Sequence, residues 1–202
     1  MSVFFKPKHL KRLFKVDADH TRTEREKIVS LKCWYLDTWI MTSATVFDDG
    51  LVVVDKIEAL DGQLVVAAAL KNLSKPAKIL IGSGFDQYIR HHLDAGGIAY
   101  TSLSLAGRCF SKVDADNFSD KKSAAYFKLI DAVKAEKFKV GVTGKNKPIQ
   151  RKQIIEQLGG VLFYFDDRAR YKMYSYEQRR SMRLATLEIA NTFAQIYAEG
   201  AT

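Results

Sequence analysis

The stretch KCWYLDTWIMTSATVFDDGLVVVDKIEA, residues 32–59, decides how this chain folds. Its first ten residues are aromatic and β-branched around a single acid, a composition that predicts a buried strand. TSATVF, residues 42–47, continues into a second strand. Asp48-Asp49-Gly50 supplies an Asp-Gly turn, and LVVVDKIEA returns as a third strand. Strands joined in this way form an antiparallel meander.

Working outward toward the N-terminus, residues 6–32 are polar and strongly charged. They read as a basic arm or short helix, so residues 1–31 are assigned as an arm or linker and residues 32–202 as one domain. Toward the C-terminus the pattern alternates. Asp61 is placed to cap a helix through Leu64, Ala68 and Leu70, ending near Asn72. AKILIG is a short strand, and SGFDQYIRHHL turns into a helix stopped by Gly96-Gly97. IAYTSLSL reads as a strand. Tyr126, Leu129, Ile130 and Val133 follow the helical spacing i, i+3, i+4, i+7. KFKVGV is a strand, KNKP a loop and IQRKQIIEQLGG a helix. VLFYF and ARYKMYSY form a hairpin about Asp166-Asp167-Arg168, and a last helix aligns Ile189, Phe193 and Ile196. A meander followed by βα units gives an α/β fold, a mixed sheet flanked by helices.

The 202 residues are enough for one large domain with a real core. No run approaches the roughly 18–20 apolar residues of a membrane helix. The opening MSVFFKPKHLKRLFK is no secretory signal, because basic residues interrupt its apolar part. Cys33 and Cys109 have no CxxC spacing and read as free, buried thiols, so the expected location is the cytoplasm. The formal charge of +9 creates a field that attracts polyanions.

Four features bear on chemistry. Asp37 sits among Trp34, Tyr35, Leu36, Trp39 and Ile40, where an ionised carboxylate is costly unless paired or metal-bound. It is either a metal ligand on a central strand, or an acid at a strand end, or one paired with an arginine. GSGF, residues 82–85, lacks the GK[ST] of a phosphate loop and serves as a turn. His91 and His92 are helix neighbours about 100° apart and do not readily share a metal. RARYKMYSYEQRRSMR interleaves Arg168, Arg170, Lys172, Arg179 and Arg180 with Tyr171, Tyr174 and Tyr176. Cations reach phosphates while aromatic faces lie against sugars or bases, so this segment is a candidate DNA contact; the alternative is a solvated hairpin with structural tyrosines.

The order of these elements resembles the nuclease domain of the phage terminase large subunit, which has an RNase H-like (RuvC-like) fold. KCWYLDTW resembles its first strand, with Asp37 at the first catalytic aspartate. ILIGSGFDQYIRHHLDAGGIAYTSLSL is similar to its strand, glycine turn, helix and strand. Phe118, Asp120 and Lys122 stand in a weakened form of its F-x-N-x-R-A-E helix. IIEQLGGVLFYFDDRARYKMYSYEQRRSM is similar to its I-x-Q-L helix and D-x-x-G-R hairpin. LATLEIANTFAQIYA resembles its terminal helix, with Glu188 on one acid and Asn191 near another. The likeness spans roughly residues 32–198.

That resemblance implies a metal-dependent endonuclease acting on double-stranded DNA in viral packaging. Its partners would be the terminase ATPase, the small terminase subunit or the portal, in the host cytoplasm. Such nucleases hold two divalent ions, Mg²⁺ or Mn²⁺, between three or four carboxylates. The chain departs at the middle acid, where it has Gly82, and at Asn191, which is uncharged. Asp37 and Glu188, expected side by side, would hold one ion. Asp86 would have to reach back about a helical turn, ~5 Å, to replace the middle acid. The set is incomplete, so the expected function is a terminase-type nuclease with cleavage weakened or lost. The alternatives are a noncatalytic DNA- or portal-binding scaffold and a stand-alone junction resolvase.

Overall fold

The computed structural model describes residues 2–3, 5, 7–15, 21–35, 37–73, 76–82, 87, 89–109, 111–141, 149–182, 184 and 186–200. The chain opens with β1 (Ser2–Val3) and α1 (Pro7–Leu13), then the meander β2 (Glu24–Tyr35), β3 (Thr38–Phe47) and β4 (Val52–Asp61). Next come α2 (Gln63–Lys71), β5 (Lys78–Ile81), α3 (Arg90–Ala95), β6 (Thr101–Ser102), α4 (Lys112–Asn117), α5 (Lys121–Lys134) and β7 (Phe138–Val140). The rest is α6 (Arg151–Gly159), β8 (Leu162–Phe165), β9 (Tyr171–Met173), α7 (Tyr176–Ser181) and α8 (Glu188–Gly200).

Six strands form the main sheet in the order β6-β5-β2-β3-β4-β7. The meander supplies the antiparallel pairs, and β5, β6 and β7 join in parallel. The Asp-Gly turn forms as expected: Gly50 takes φ 78°, which a side chain would resist, and donates to the Phe47 carbonyl.

β2 is central and covered on both faces, so Ile28, Val29, Ser30 and Leu31 are all buried. Successive residues serve opposite faces. Val29 and Leu31 enter a smaller core with Val66, Leu70, Ile89 and Leu93 of the α2–α3 side. Ile28 and Ser30 face α8: Ser30 donates to Gln195 Oε1 at 2.6 Å, and Thr42 meets Thr192 at 2.7 Å. Gly200 lies flush on Val46 and Ile28, where a Cβ would stand 2.8 Å from Val46. Helix α8 is thus pinned along β2 with its N-terminal half toward the carboxyl end of that strand.

Several expectations are corrected. The supposed basic arm is built into the domain: Phe5, Leu10 and Leu13 enter the larger core, and β2 begins at Glu24. Alternating Ile28, Ser30 and Lys32 against Val29, Leu31 and Cys33 is a strand pattern that the surrounding charges of residues 24–27 conceal. The single run read as residues 32–41 is instead a strand end, a turn and a strand start. Asp61 ends β4 and accepts from Thr38; Gly62 precedes α2 with no side-chain cap. The hairpin β8–β9 forms, but with β1 it makes a separate sheet. Cys33 and Cys109 are thiols outside any disulfide, and each is only half-buried rather than buried as expected. KNKP and Asp86 lie outside the described residues.

A basic cleft beyond the ends of the central strands

The β2–β5 pairing runs in register from Ile28 with Lys78 to Leu31 with Ile81. The next residues are Lys32 and Gly82, and both line one cavity of about 440 Å³. Alternation puts Lys32 on the α8 face of the sheet, and Asn191 and Gln195 of that helix join it. One wall is the segment from Leu103 to Gly107; the other runs from Lys172 to Tyr176. Asp120 and Lys122, at the start of α5, complete the lining. Crevices beyond the carboxyl ends of sheet strands are where α/β folds bind ligands.

The donors that the described residues bring to this cleft do not suit a divalent cation. Hard ions require oxygen ligands and several carboxylates. Here Lys32, Lys122 and Lys172 bring ammonium groups, and Gly82 has no side chain. Asp120 is the one acid among the described lining residues, and its oxygens are committed as a helix cap. Oδ1 accepts from Ser123 N at 2.7 Å and Ser123 Oγ at 2.8 Å, and Oδ2 accepts from Ser119 Oγ at 2.9 Å. Asn191 Oδ1 accepts from the buried Tyr126 hydroxyl at 2.6 Å. What Asn191 still offers is its amide N–H pair, which favours anions. Among the described residues, no three His, Cys, Asp or Glu side chains gather to hold a metal. The described residues of this lining do not gather the carboxylates that the two-ion chemistry implied by the family resemblance requires.

A second cavity of about 300 Å³ shares Lys122, Tyr176 and Asn191 with the first and adds Arg179, Arg180, Leu184, Thr186, Leu187 and Glu188. Glu188 is 9% exposed and its Oε2 is buried without a hydrogen-bond partner. Its charge acts on Lys122, Tyr126 and Arg179. Burial pushes the Lys122 ammonium below its ordinary pKa, and the like charge of Lys32 pushes the same way, against Asp120 and Glu188. The Tyr126 hydroxyl is raised well above its ordinary pKa by burial.

Of the acids singled out in the sequence, Asp37 and Glu188 share neither cavity. Asp37 is exposed in the β2–β3 turn, its carbonyl accepting from Gly62 N at 2.9 Å, and it lines neither cavity. Glu188 lies in the second cavity among cations. The strand position facing Gly82 belongs to Lys32, five residues before Asp37. Asp86 lies outside the described residues.

The five basic candidates divide. Lys172 lines the first cavity and Arg180 the second. Arg170 is tied to Asp166 through Nε at 3.0 Å and Nη2 at 2.8 Å, locking the β8–β9 turn. Arg179 is 5% exposed and donates to the Gly160 carbonyl, anchoring α7 to the end of α6. Arg168 is exposed at the hairpin tip. Lys32 was missed, and Lys122 entered only as a member of the weakened helix motif. Lys32 did carry a signal, since a cation entering an apolar strand is as costly as an acid there. His91 and His92 make only an edge contact, and Ser102 accepts from Arg90.

No protein-family model matches this sequence, and no curated protein matches it. In structure the chain is similar to the nuclease domain of the large terminase subunit gp2 of bacterial virus Sf6. That match has TM-score 0.74 and 12% identity and covers 97% of this chain and 98% of that one. The P22 large terminase nuclease domain matches at TM-score 0.55 and 8% identity, covering 96% and 90%. The human cytomegalovirus terminase nuclease domain, solved manganese-soaked with an inhibitor, matches at TM-score 0.55 and 10% identity, covering 99% and 96%. The fold is that of terminase nuclease domains, as the resemblance implied. No described helix is long and apolar enough to cross a membrane.

Proposed function

We propose that this chain is a DNA-gripping module built on the terminase nuclease fold, with a cleft that holds phosphates by lysine rather than by metal and does not cut. The observation that carries this is that Lys32 and Gly82, each one residue beyond the paired Leu31 and Ile81, line one cavity with Lys122, Lys172 and Asn191. Metal-dependent hydrolysis needs bound ions to activate a water and stabilise the leaving oxygen. Ammonium groups stabilise an anion but repel the ions, so binding is favoured and hydrolysis is not. The fold supports a place in viral DNA packaging, on double-stranded DNA and beside a terminase ATPase, small subunit or portal.

The test is DNA binding by fluorescence anisotropy with and without EDTA, paired with supercoiled plasmid in millimolar Mn²⁺. Affinity that falls with salt, ignores EDTA and leaves plasmid supercoiled supports the reading. Plasmid nicking that disappears with EDTA restores the metal-dependent nuclease. Absence of DNA binding at low salt leaves a scaffold contacting protein.

A further inference from the structure

We infer that the cleft takes a single DNA strand, or a duplex end opened into one, with Tyr176 as the platform on which a base stacks. This rests on the reading of the cleft as a DNA site and names the form of DNA it accepts.

Tyr176 is 63% exposed, so its ring adds little to the core. Its backbone is nevertheless fixed. Ser175 caps α7 by accepting from Gln178 N, and the Gln178 side chain accepts from Ser175 N in return. A rigidly mounted aromatic left open to solvent suits a ligand with a flat face. Tyr176 also lines both cavities, as Lys122 and Asn191 do.

The cations are arranged on either side of that ring. Lys32 and Lys172 line the first cavity, Arg180 the second, and Lys122 both. A strand threading from one cavity to the other meets cationic groups before and after Tyr176, with the ring between them for a base. Tyr174 adds a second ring to the first cavity, itself held against Tyr164 at 4.8 Å. Basic grooves interleaved with aromatics are how proteins hold unpaired strands, because every base has a π-face.

Size points the same way. Cavities of 440 and 300 Å³ are of small-ligand dimensions, about 300–1,000 Å³. Nucleotides fit such spaces one at a time. A duplex, whose major groove alone is about 12 Å wide, can only lay a backbone edge across the mouth.

The experiment compares labelled oligo(dT), an abasic oligonucleotide and a duplex of equal length, by anisotropy at fixed salt. Oligo(dT) should bind about tenfold or more tighter than either of the others. Tyr176→Ala should weaken oligo(dT) by about fivefold to a hundredfold, the range of base–aromatic stacking, and leave the duplex nearly unchanged. Tyr176→Phe should retain binding. Equal affinity for all three DNAs, unmoved by Tyr176→Ala, overturns the single-strand inference while leaving DNA binding intact. Failure to bind any of them overturns the underlying reading instead.

Discussion

Lys32, within β2, and Gly82, just past the end of β5, each stand one step beyond the paired Leu31 and Ile81 and meet in one cavity. An acid at each position would face the other across the strands at the mouth of the sheet. The chain instead supplies an ammonium and a hydrogen atom, with an amide from Asn191 beside them.

If acids at these positions are what metal-dependent cleavage on this fold needs, installing them should create it. The triple variant Lys32→Asp, Gly82→Asp, Asn191→Asp is expected to bind Mn²⁺ by titration calorimetry and to nick supercoiled plasmid. The unaltered chain is expected to do neither. A folded triple variant that ignores Mn²⁺ would mean that these positions are not where the fold assembles its ions.

Lys122 gives the cleft a pH dependence. Burial lowers its pKa below 10.5, helped by the charge of Lys32. Phosphate binding requires the ammonium, so DNA affinity should fall as pH rises through the depressed value, and Lys122→Met should remove that step. For stability the sign reverses. The unfolded chain binds this proton more readily, so the penalty is full below the folded pKa and is relieved as pH rises toward 10.5. Lys122→Met should therefore raise Tm at neutral pH while weakening DNA binding. A variant that loses both would point to a merely structural lysine.

The order of elements was readable because its signals are local. The Asp-Gly turn, the spacing of Tyr126, Leu129, Ile130 and Val133, and the glycine stops each mark one element. The site was not, because it depends on register. A shift of five residues along one strand separates Asp37 in a solvent-exposed turn from Lys32 in the cleft, and only pairing with β5 fixes which residue faces Gly82. The N-terminal segment was misread because its buried residues, Phe5, Leu10 and Leu13, are few and spaced among lysines. The basic hairpin was found, but sequence alone could not separate Arg170, which is tied to Asp166, from Lys172, Arg179 and Arg180, which line the cavities, nor show that Arg179 is also anchored to Gly160.

Glu188 opposes phosphates rather than helping them. It is buried among Lys122, Arg179 and Tyr126, with one oxygen unpartnered. Glu188→Gln should tighten DNA binding by removing a negative charge from the cavity. It should also lower stability by about 1–3 kcal/mol, because buried cations lose their counter-charge. Thermal melts should show a drop of about 2–4 °C for each kcal/mol in a chain of this size. Weaker DNA binding in a stable Glu188→Gln variant would instead assign the acid a direct role with the ligand.

Asp37 is the matching control. It is exposed in the β2–β3 turn, contributing its carbonyl to Gly62 rather than its carboxylate to a site. Asp37→Ala should shift stability by no more than about 0.5 kcal/mol and leave DNA affinity unchanged. A large loss of binding would return this residue to the site from which its position excludes it.

The two halves of the basic segment should separate by salt. Lys172 lines the cleft, whereas Arg170 is spent on Asp166 and the hairpin turn. Each phosphate contact contributes about 0.7 to the slope of log affinity against log salt on single strands and about 0.9 on duplex. Lys172→Ala should flatten that slope by about one contact and leave the melting temperature in place. Arg170→Ala should do the opposite, lowering the melting temperature as the turn loses its lock while the slope stays nearly constant. If Arg170→Ala flattens the slope as much as Lys172→Ala, the hairpin arginine reaches DNA after all, and the binding surface extends from the cleft along β9 to the tip.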